Sequence, residues 1–300
     1  ENVSYFGNSD EAHMVYQFSL PPLTLHAIHT GSTRYLRHWL QELEAAPQGC
    51  TFLNFTASHD GVGLRALEGL IPEDEVAALL EDMRERGGFI STRAKPDGSV
   101  SPYELNISYF DAMRDPQADF DQWQIPRFML TQTLALTLQG VPAIYIHSLL
   151  ATPNDHLGVE RTGRTRSINR RKWDCYELEG ILADNRSSAH RVFNLYLSRL
   201  KLRRTLKAFH PDAAQRVFDL RDDFLCVERT SLDGEQVIRA VFNFTPFAKV
   251  ISPLEIGYRE EDHETLFDLI NSERPRMEMG ETGYEMVVPG YAALWLTLEQ

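Results

Sequence analysis

The sequence predicts a parallel α/β architecture that gives way, in its last third, to a small all-β unit. Up to about residue 209, short apolar runs alternate with helix-spaced segments, the pattern of strand and helix units built around a parallel sheet. After His210-Pro211 the helical spacing is replaced by short strand-like runs joined through turn residues. With 300 residues, 43% hydrophobic and 10% aromatic, the chain has material for one large domain or two.

In order along the chain, Met14-Val15-Tyr16-Gln17-Phe18 reads as a strand. From Pro21-Pro22 onward Leu23, Leu25, Ile28, Leu36, Trp39, Leu40 and Leu43 keep a helical, core-facing spacing. Thr51 to Phe55 is the next strand. Pro72 to Arg86 is an amphipathic helix: Pro72 opens it, Glu73, Asp74 and Glu75 complement its positive end, Val76, Leu79, Leu80 and Met83 form its buried stripe, and Gly87-Gly88 stops it. Phe89 to Phe120 is rich in turn residues, among them Pro96-Asp97-Gly98 and Ser101-Pro102, and reads as a loop region of the kind that forms active-site lids. Gln124 to Leu138 is a long apolar helix ending at Gly140-Val141-Pro142, before a strand over Ala143-Ile144-Tyr145-Ile146. Arg191 to Leu206 is a basic amphipathic helix. Beyond it, strands are expected at Phe224 to Val227, Val237 to Phe242 and Tyr291 to Leu298, with a turn at Asp233-Gly234. The tryptophans and Met14, Met83 and Met129 read as core.

The net charge of -13 argues against general binding to nucleic acid or anionic membranes. Cys50, Cys175 and Cys226 lie far apart and form no Cys-x-x-Cys pair, so neither a disulfide framework nor a zinc site is expected, and a reducing cytoplasm is the simplest location. The longest apolar stretch, Phe128 to Ile146, is interrupted by Gln132, Gln139, Gly140 and Pro142 and is expected to be buried rather than membrane-spanning. Glu1-Asn2-Val3 opens polar and acidic, so no signal peptide is expected there.

The most informative segment is Asn54-Phe55-Thr56-Ala57-Ser58-His59-Asp60-Gly61-Val62-Gly63, which sets a His-Asp pair where an apolar strand runs out into a glycine-hinged loop. Reactive groups of parallel barrels project from such strand ends. Read alone, the pair is a turn residue beside a solvated imidazole. A metal phosphohydrolase would seat it on a helix with further histidines in ligand spacing, and none of the others is so spaced. Gly61-Val62-Gly63 lacks the third glycine of a dinucleotide loop, since Arg65 and Ala66 stand in its place.

This segment resembles the last conserved region of the retaining α-glucosyl enzymes of glycoside hydrolase family 13, and its continuation Gly-Val-Gly-Leu-Arg-Ala-Leu-Glu-Gly-Leu resembles their sucrose phosphorylase branch. Ala151-Thr152-Pro153-Asn154-Asp155 and Gly163-Arg164-Thr165-Arg166-Ser167-Ile168-Asn169-Arg170 are similar to that branch's loop after the eighth strand, most of all in its glucosylglycerate phosphorylase members. The likeness runs from Glu1 to about Phe209. It implies the C-terminal part of a (β/α)8 barrel over residues 1–209, with a lid or insertion at 61–122, and a β-sandwich-like domain over 210–300. Only about three strand-and-helix units precede that domain, whereas a whole barrel takes ~250 residues. The chain therefore reads as the C-terminal portion of a longer enzyme, with the nucleophilic Asp and the acid/base Glu outside it. Open strand edges and apolar helix faces would then favour a homo-oligomer.

The resemblance implies a glycoside phosphorylase: phosphate displaces a glucosyl group with retention, giving α-glucose 1-phosphate. Asp60 corresponds to the carboxylate that stabilises the transition state, His59 to a hydrogen-bond donor on the same glucosyl unit, and Arg170 to the arginine at the far edge of the glucose. Within the basic island Arg161, Arg164, Arg166, Arg170, Arg171 and Lys172, Arg164 and Arg166 are candidate contacts to a phosphate or carboxylate, which needs forked donors. Tyr103-Glu104-Leu105-Asn106 resembles the mobile acceptor loop, where sucrose phosphorylase carries Tyr-Gln-Val-Asn. Glu104, together with Asn154 and Asp155, tilts the reading from sucrose to glucosylglycerate. No metal or other cofactor is implied. The rival readings are an α-glucoside hydrolase and a non-catalytic sugar-binding or assembly module.

Overall fold

The computed structural model describes residues 2–94, 98–281 and 283–299; Glu1 and the expected Pro96-Asp97 turn lie outside the described residues. Met14–Tyr16 (β1) is followed by the helices Leu20–Thr30 (α1) and Arg34–Glu42 (α2), then by Thr51–Asn54 (β2), which lies parallel to β1 with Val15 opposite Phe52. The single helical stretch expected from Leu23 to Leu43 is thus two helices. Gly31 takes φ 67°, a left-handed conformation that ends α1 and turns the chain into α2. Met14, expected in the core, is exposed, because β1 alternates and only Val15 faces the packing; Met83 and Met129 are buried.

From β2 the chain passes through Val62–Gly63 (β3), Glu73–Glu85 (α3), Phe89–Ala94 (β4) and Val100–Asn106 (β5). In α3 the acidic first turn and the buried Leu79, Leu80 and Met83 stand as the sequence dictates. The segment expected as a loop contains instead a β-hairpin: β4, β5 and β3 form an antiparallel sheet in the order β3-β5-β4. Pro102 hides it, since proline inside a strand is tolerated only at an edge or a bulge. The register shifts there, with Ser91 opposite Glu104 and Thr92 opposite Pro102, so that Tyr103 is the extra residue.

Gln124–Thr137 (α4) is buried along nearly its whole length and leads into Val141–Pro142 (β6), which pairs parallel with β2. The strand expected at Ala143 to Ile146 therefore begins and ends earlier. The Ala143 N–H still donates to the Asn54 carbonyl at 2.7 Å, but Ile146 already opens the short helix Ile146–Leu149 (α5). A buried strand and a buried helix cannot be told apart from a short apolar run. His156–Thr162 (α6), Cys175–Ala183 (α7) and Ser188–Thr205 (α8) complete this part. On α8 only Ala189, Val192 and Tyr196 are fully buried. None of the helices among the described residues is long and apolar enough to cross a membrane.

The remaining strands are Ala214–Val217 (β7), Phe224–Thr230 (β8), Val237–Asn243 (β9), Lys249–Ile251 (β10), Leu266–Asp268 (β11), Met277–Met279 (β12), Tyr284–Val288 (β13) and Ala293–Leu298 (β14). They form two antiparallel sheets, ordered β11-β14-β9-β8-β7 and β10-β13-β12. The larger sheet is apolar on both faces. Phe224 and Cys226 of β8 join Met286 and Val288 of the smaller sheet in one core, while Leu225 and Val227 belong to the core that contains Phe128 and Leu134 of α4. Polar bonds cross the same boundary: the Trp295 indole N–H donates to Thr137 Oγ1 at 2.9 Å, Arg229 donates to the Thr137 carbonyl at 2.7 Å, and Thr33 Oγ1 donates to the Phe224 carbonyl at 2.8 Å.

Candidate active site

The carboxyl end of β2 is anchored before it opens into the site. Asn54 Nδ2 donates to the Gln139 carbonyl at 3.0 Å and Thr56 Oγ1 to Gln132 Oε1 at 2.9 Å, which ties the strand end to α4 and the turn after it. The following loop is fixed by Asn169, whose buried amide donates to the carbonyls of Ser58 at 3.0 Å and Asp60 at 2.9 Å. The Asp60 N–H donates to Ser58 Oγ at 3.1 Å. These bonds leave the Asp60 carboxylate projecting from the loop.

Two arginines meet that carboxylate. Arg166 Nη1 stands 2.9 Å from Asp60 Oδ1, and Arg170 Nη2 donates to the same oxygen at 3.3 Å while its Nε donates to the His59 carbonyl. Arg166 is also held from the other side, where Nε and Nη2 donate to the two oxygens of Glu104 at 2.8 Å each. Glu104 Oε1 accepts a further bond from the Gly61 N–H at 3.1 Å. The bond to Glu104 is the main reason the Arg166 guanidinium is driven further above its already high pKa, with Asp60 adding to it.

Beside this cluster lies a cavity of about 440 Å³, lined by Phe55, Asp60, Tyr103, Glu104, Arg166 and Asn169 among others, with Arg65, Arg93 and Tyr109 also at its walls. Its size suits a small glycoside. A larger concavity of about 570 Å³ between the segment before α4 and the start of α8 is lined by none of the candidate site residues, although Arg171 of the basic island borders it.

The structure brings Asp60, Tyr103, Glu104 and Arg166 to one cavity, with Arg170 reaching Asp60 from outside its lining. The His59 side chain is 73% exposed and outside the cavity lining, 3.7 Å from Asp60 Oδ2. Asn154 and Asp155 lie elsewhere and are engaged in holding loops. Asn154 accepts from the Ser108 N–H and donates to the Arg86 carbonyl, and Asp155 caps α6 by accepting from the Gly158 N–H at 2.8 Å. Arg164 is exposed and outside the cavity. The residues that sequence reasoning passed over are Asn169, Ser58, Arg65 and Arg93. Asn169 stood directly beside Arg170 in the quoted motif, but nothing in its spacing marks a side chain that works on main-chain carbonyls. Among the described residues, no cluster of three or more His, Cys, Asp or Glu side chains is arranged to hold a metal ion.

No family model matches the chain. It is 40% identical over 244 residues to the glucosylglycerate phosphorylase of Escherichia coli strain K12, a match covering 81% of this chain and 43% of that protein. The glucosylglycerate phosphorylase of Spirochaeta thermophila is 36% identical over 300 residues, covering 99% of this chain and 51% of the relative. The chain belongs to the sucrose phosphorylase-like branch of glycoside hydrolase family 13. Among solved structures, the sucrose 6F-phosphate phosphorylase from Thermoanaerobacter thermosaccharolyticum aligns with a TM-score of 0.65 at 20% identity, over 96% of this chain and 49% of that one. That likeness gives the fold, in which the sheet β1-β2-β6 and its helices are part of the family's barrel and the two antiparallel sheets its C-terminal β unit. The chain spans about half the length of the family members it matches.

Proposed function

We propose that this chain contributes to the active site of a retaining glycoside phosphorylase, which transfers glucose from an α-glucoside to inorganic phosphate and yields α-glucose 1-phosphate. Glucosylglycerate is the preferred donor in this reading, ahead of sucrose. The observation that carries it is Asp60, presented at the carboxyl end of β2 between Arg166 and Arg170 beside a cavity with further arginines at its wall. Retaining transfer needs a nucleophilic carboxylate and an acid/base carboxyl ~5–5.5 Å apart. Neither role is assigned to a residue of this chain. Asp60 instead supplies negative charge where the glucosyl ring becomes oxocarbenium-like, an effect of the kind that costs about 10²–10³ in kcat when one preorganised group is lost. Arg170 orients Asp60 and the sugar edge, and Arg166 faces the acceptor, whose phosphate or carboxylate suits a planar, forked donor.

Within this reading, residues 1–209 are the barrel part and 210–300 the β domain, and the protein works in the cytoplasm, where its free Cys50, Cys175 and Cys226 stay reduced. The test is phosphorolysis. A protein carrying this chain, given glucosylglycerate and inorganic phosphate, forms α-glucose 1-phosphate in proportion to the phosphate supplied. Phosphate-independent release of free glucose would overturn the reading in favour of a hydrolase.

A further inference from the structure

Glu104 is placed badly for touching an anionic acceptor and well for another task. It is only 5% exposed, and both of its oxygens are already engaged, one by Arg166 Nε and the other by Arg166 Nη2 and the Gly61 N–H. A second carboxylate facing a phosphate or glycerate would repel it. We propose that Glu104 is a positioning residue: it grips the Arg166 guanidinium along one edge, so that Nη1 is presented to Asp60 and the remaining outward N–H groups are presented to an anionic acceptor in the cavity.

The geometry of a guanidinium makes this a strong constraint. Its five N–H groups are coplanar, and a two-bond grip on Nε and Nη2 fixes both the position and the tilt of that plane. The opposite edge then has one orientation, with Nη1 2.9 Å from Asp60 Oδ1. A single bond would leave the plane free to swivel and Asp60 with Arg170 as its one held cation. Glu104 sits on β5, Gly61 on the loop after β2, and Arg166 in the short helix Thr165–Asn169, so one carboxylate joins three separate segments of the site. Only the identity of the anion rests on the phosphorylase reading. The grip itself does not.

The experiment follows the Arg166 Nε–H in the ¹⁵N-labelled chain, assigned by its loss in Arg166→Lys, and measures its exchange with water. The expected result is slow exchange in the wild type, acceleration of at least about tenfold in Glu104→Gln, and a change of less than about twofold in Asp60→Asn, which takes the charge from the Nη1 partner and leaves the two bonds to Glu104 in place. Unchanged exchange in Glu104→Gln overturns the proposal. If the amide spectrum of Glu104→Gln departs from the wild-type fold, Glu104→Asp takes its place; it keeps the charge but retracts it by one methylene, and exchange as slow as wild type counts against the grip. Titration with inorganic phosphate adds a test by sign. A positioning residue makes Glu104→Gln bind phosphate more weakly, whereas a carboxylate that merely faces the anion makes it bind more tightly. Absence of phosphate binding by the wild type would refute the anion part and weigh against the phosphorylase reading, while the exchange result still decides the grip.

Discussion

Gly61 approaches Leu105 so closely that a β-carbon on Gly61 would lie 2.5 Å from the Leu105 carbonyl oxygen and 2.6 Å from Glu104 Cγ. The loop carrying Asp60 and the hairpin carrying Glu104 can pack only because this position has no side chain. Gly61→Ala is therefore expected to destabilise the fold by about 1–3 kcal/mol, as overpacking does, with a lower urea midpoint and disturbed Glu104 and Leu105 amide signals. Gly63→Ala is the control, since its β-carbon would meet nothing within 4 Å.

Asp60→Asn keeps the shape of the site and removes its charge. In a protein that phosphorolyses glucosylglycerate, kcat is expected to fall by about 10²-fold or more while KM changes little, because the charge acts chiefly in the transition state. Steady-state kinetics decide it: wild-type kcat in this variant would remove Asp60 from the chemistry.

Arg164 and Arg166 are two residues apart and were equal candidates by sequence, yet only Arg166 reaches the cavity. Arg166→Ala leaves the buried Glu104 without its cation and is expected to weaken phosphate or glycerate use strongly. Arg164→Ala, at an exposed position, is expected to lie within about twofold of wild type, as rim charges do. Comparing kcat/KM for the two acceptors in both variants checks this.

His29 lies on α1 near Asp82 and Arg86 with its side chain 10% exposed, and this near-complete burial, with the Arg86 charge adding to it, pushes its pKa down to about 3. In the unfolded chain it would titrate near the ordinary value of about 6.5. Between these values the unfolded state binds the proton and the folded state does not, so the contribution of His29 to stability is complete above about pH 6.5 and is lost as the pH falls toward 3. The cost is about 1.4 kcal/mol per pH unit. Urea unfolding at pH 7.5 and 5.0 should show a loss that is about 2 kcal/mol smaller in His29→Gln than in the wild type.

Arg229 is fully buried and donates to four carbonyls, those of Ala214, Thr137, His210 and Ala213, with burial lowering its pKa to about 9. Replacing it removes all four of these bonds, although the His210 carbonyl keeps its bond from the Ala213 N–H at 3.0 Å. Arg229→Met is expected to cost about 3–5 kcal/mol, measured as the shift in chemical unfolding.

The sequence showed the strand read as Thr51 to Phe55, the helix after Pro72 and the buried helix before Gly140 clearly, and the structure differs at the first only in ending it at Asn54. The hairpin of β4 and β5 was hidden, since Pro102 and the bulge at Tyr103 break the alternation at the place where the pairing shifts register. At the site, Asp60, Arg166 and Arg170 were legible as charged residues in motifs. Asn169 was not, because its function is to hold the carbonyls of Ser58 and Asp60, a relation across more than a hundred residues that no local pattern records. Asn154 and Asp155 look like ligand contacts in the motif, but a folded loop needs its own caps and ties, and these two residues serve as such.

The five-stranded sheet buried on both faces has a consequence for how this protein can change. The spacing pattern changes from helical to strand-like after His210, yet the packing has no seam there: neighbouring residues of β8 point alternately into two different interiors. The β unit is therefore not a cartridge to be swapped between enzymes or trimmed away. A substitution at Phe224 is felt by one interior and a substitution at Leu225 by the other, so the two halves of the chain are bound to drift together, each limiting which replacements the other can accept.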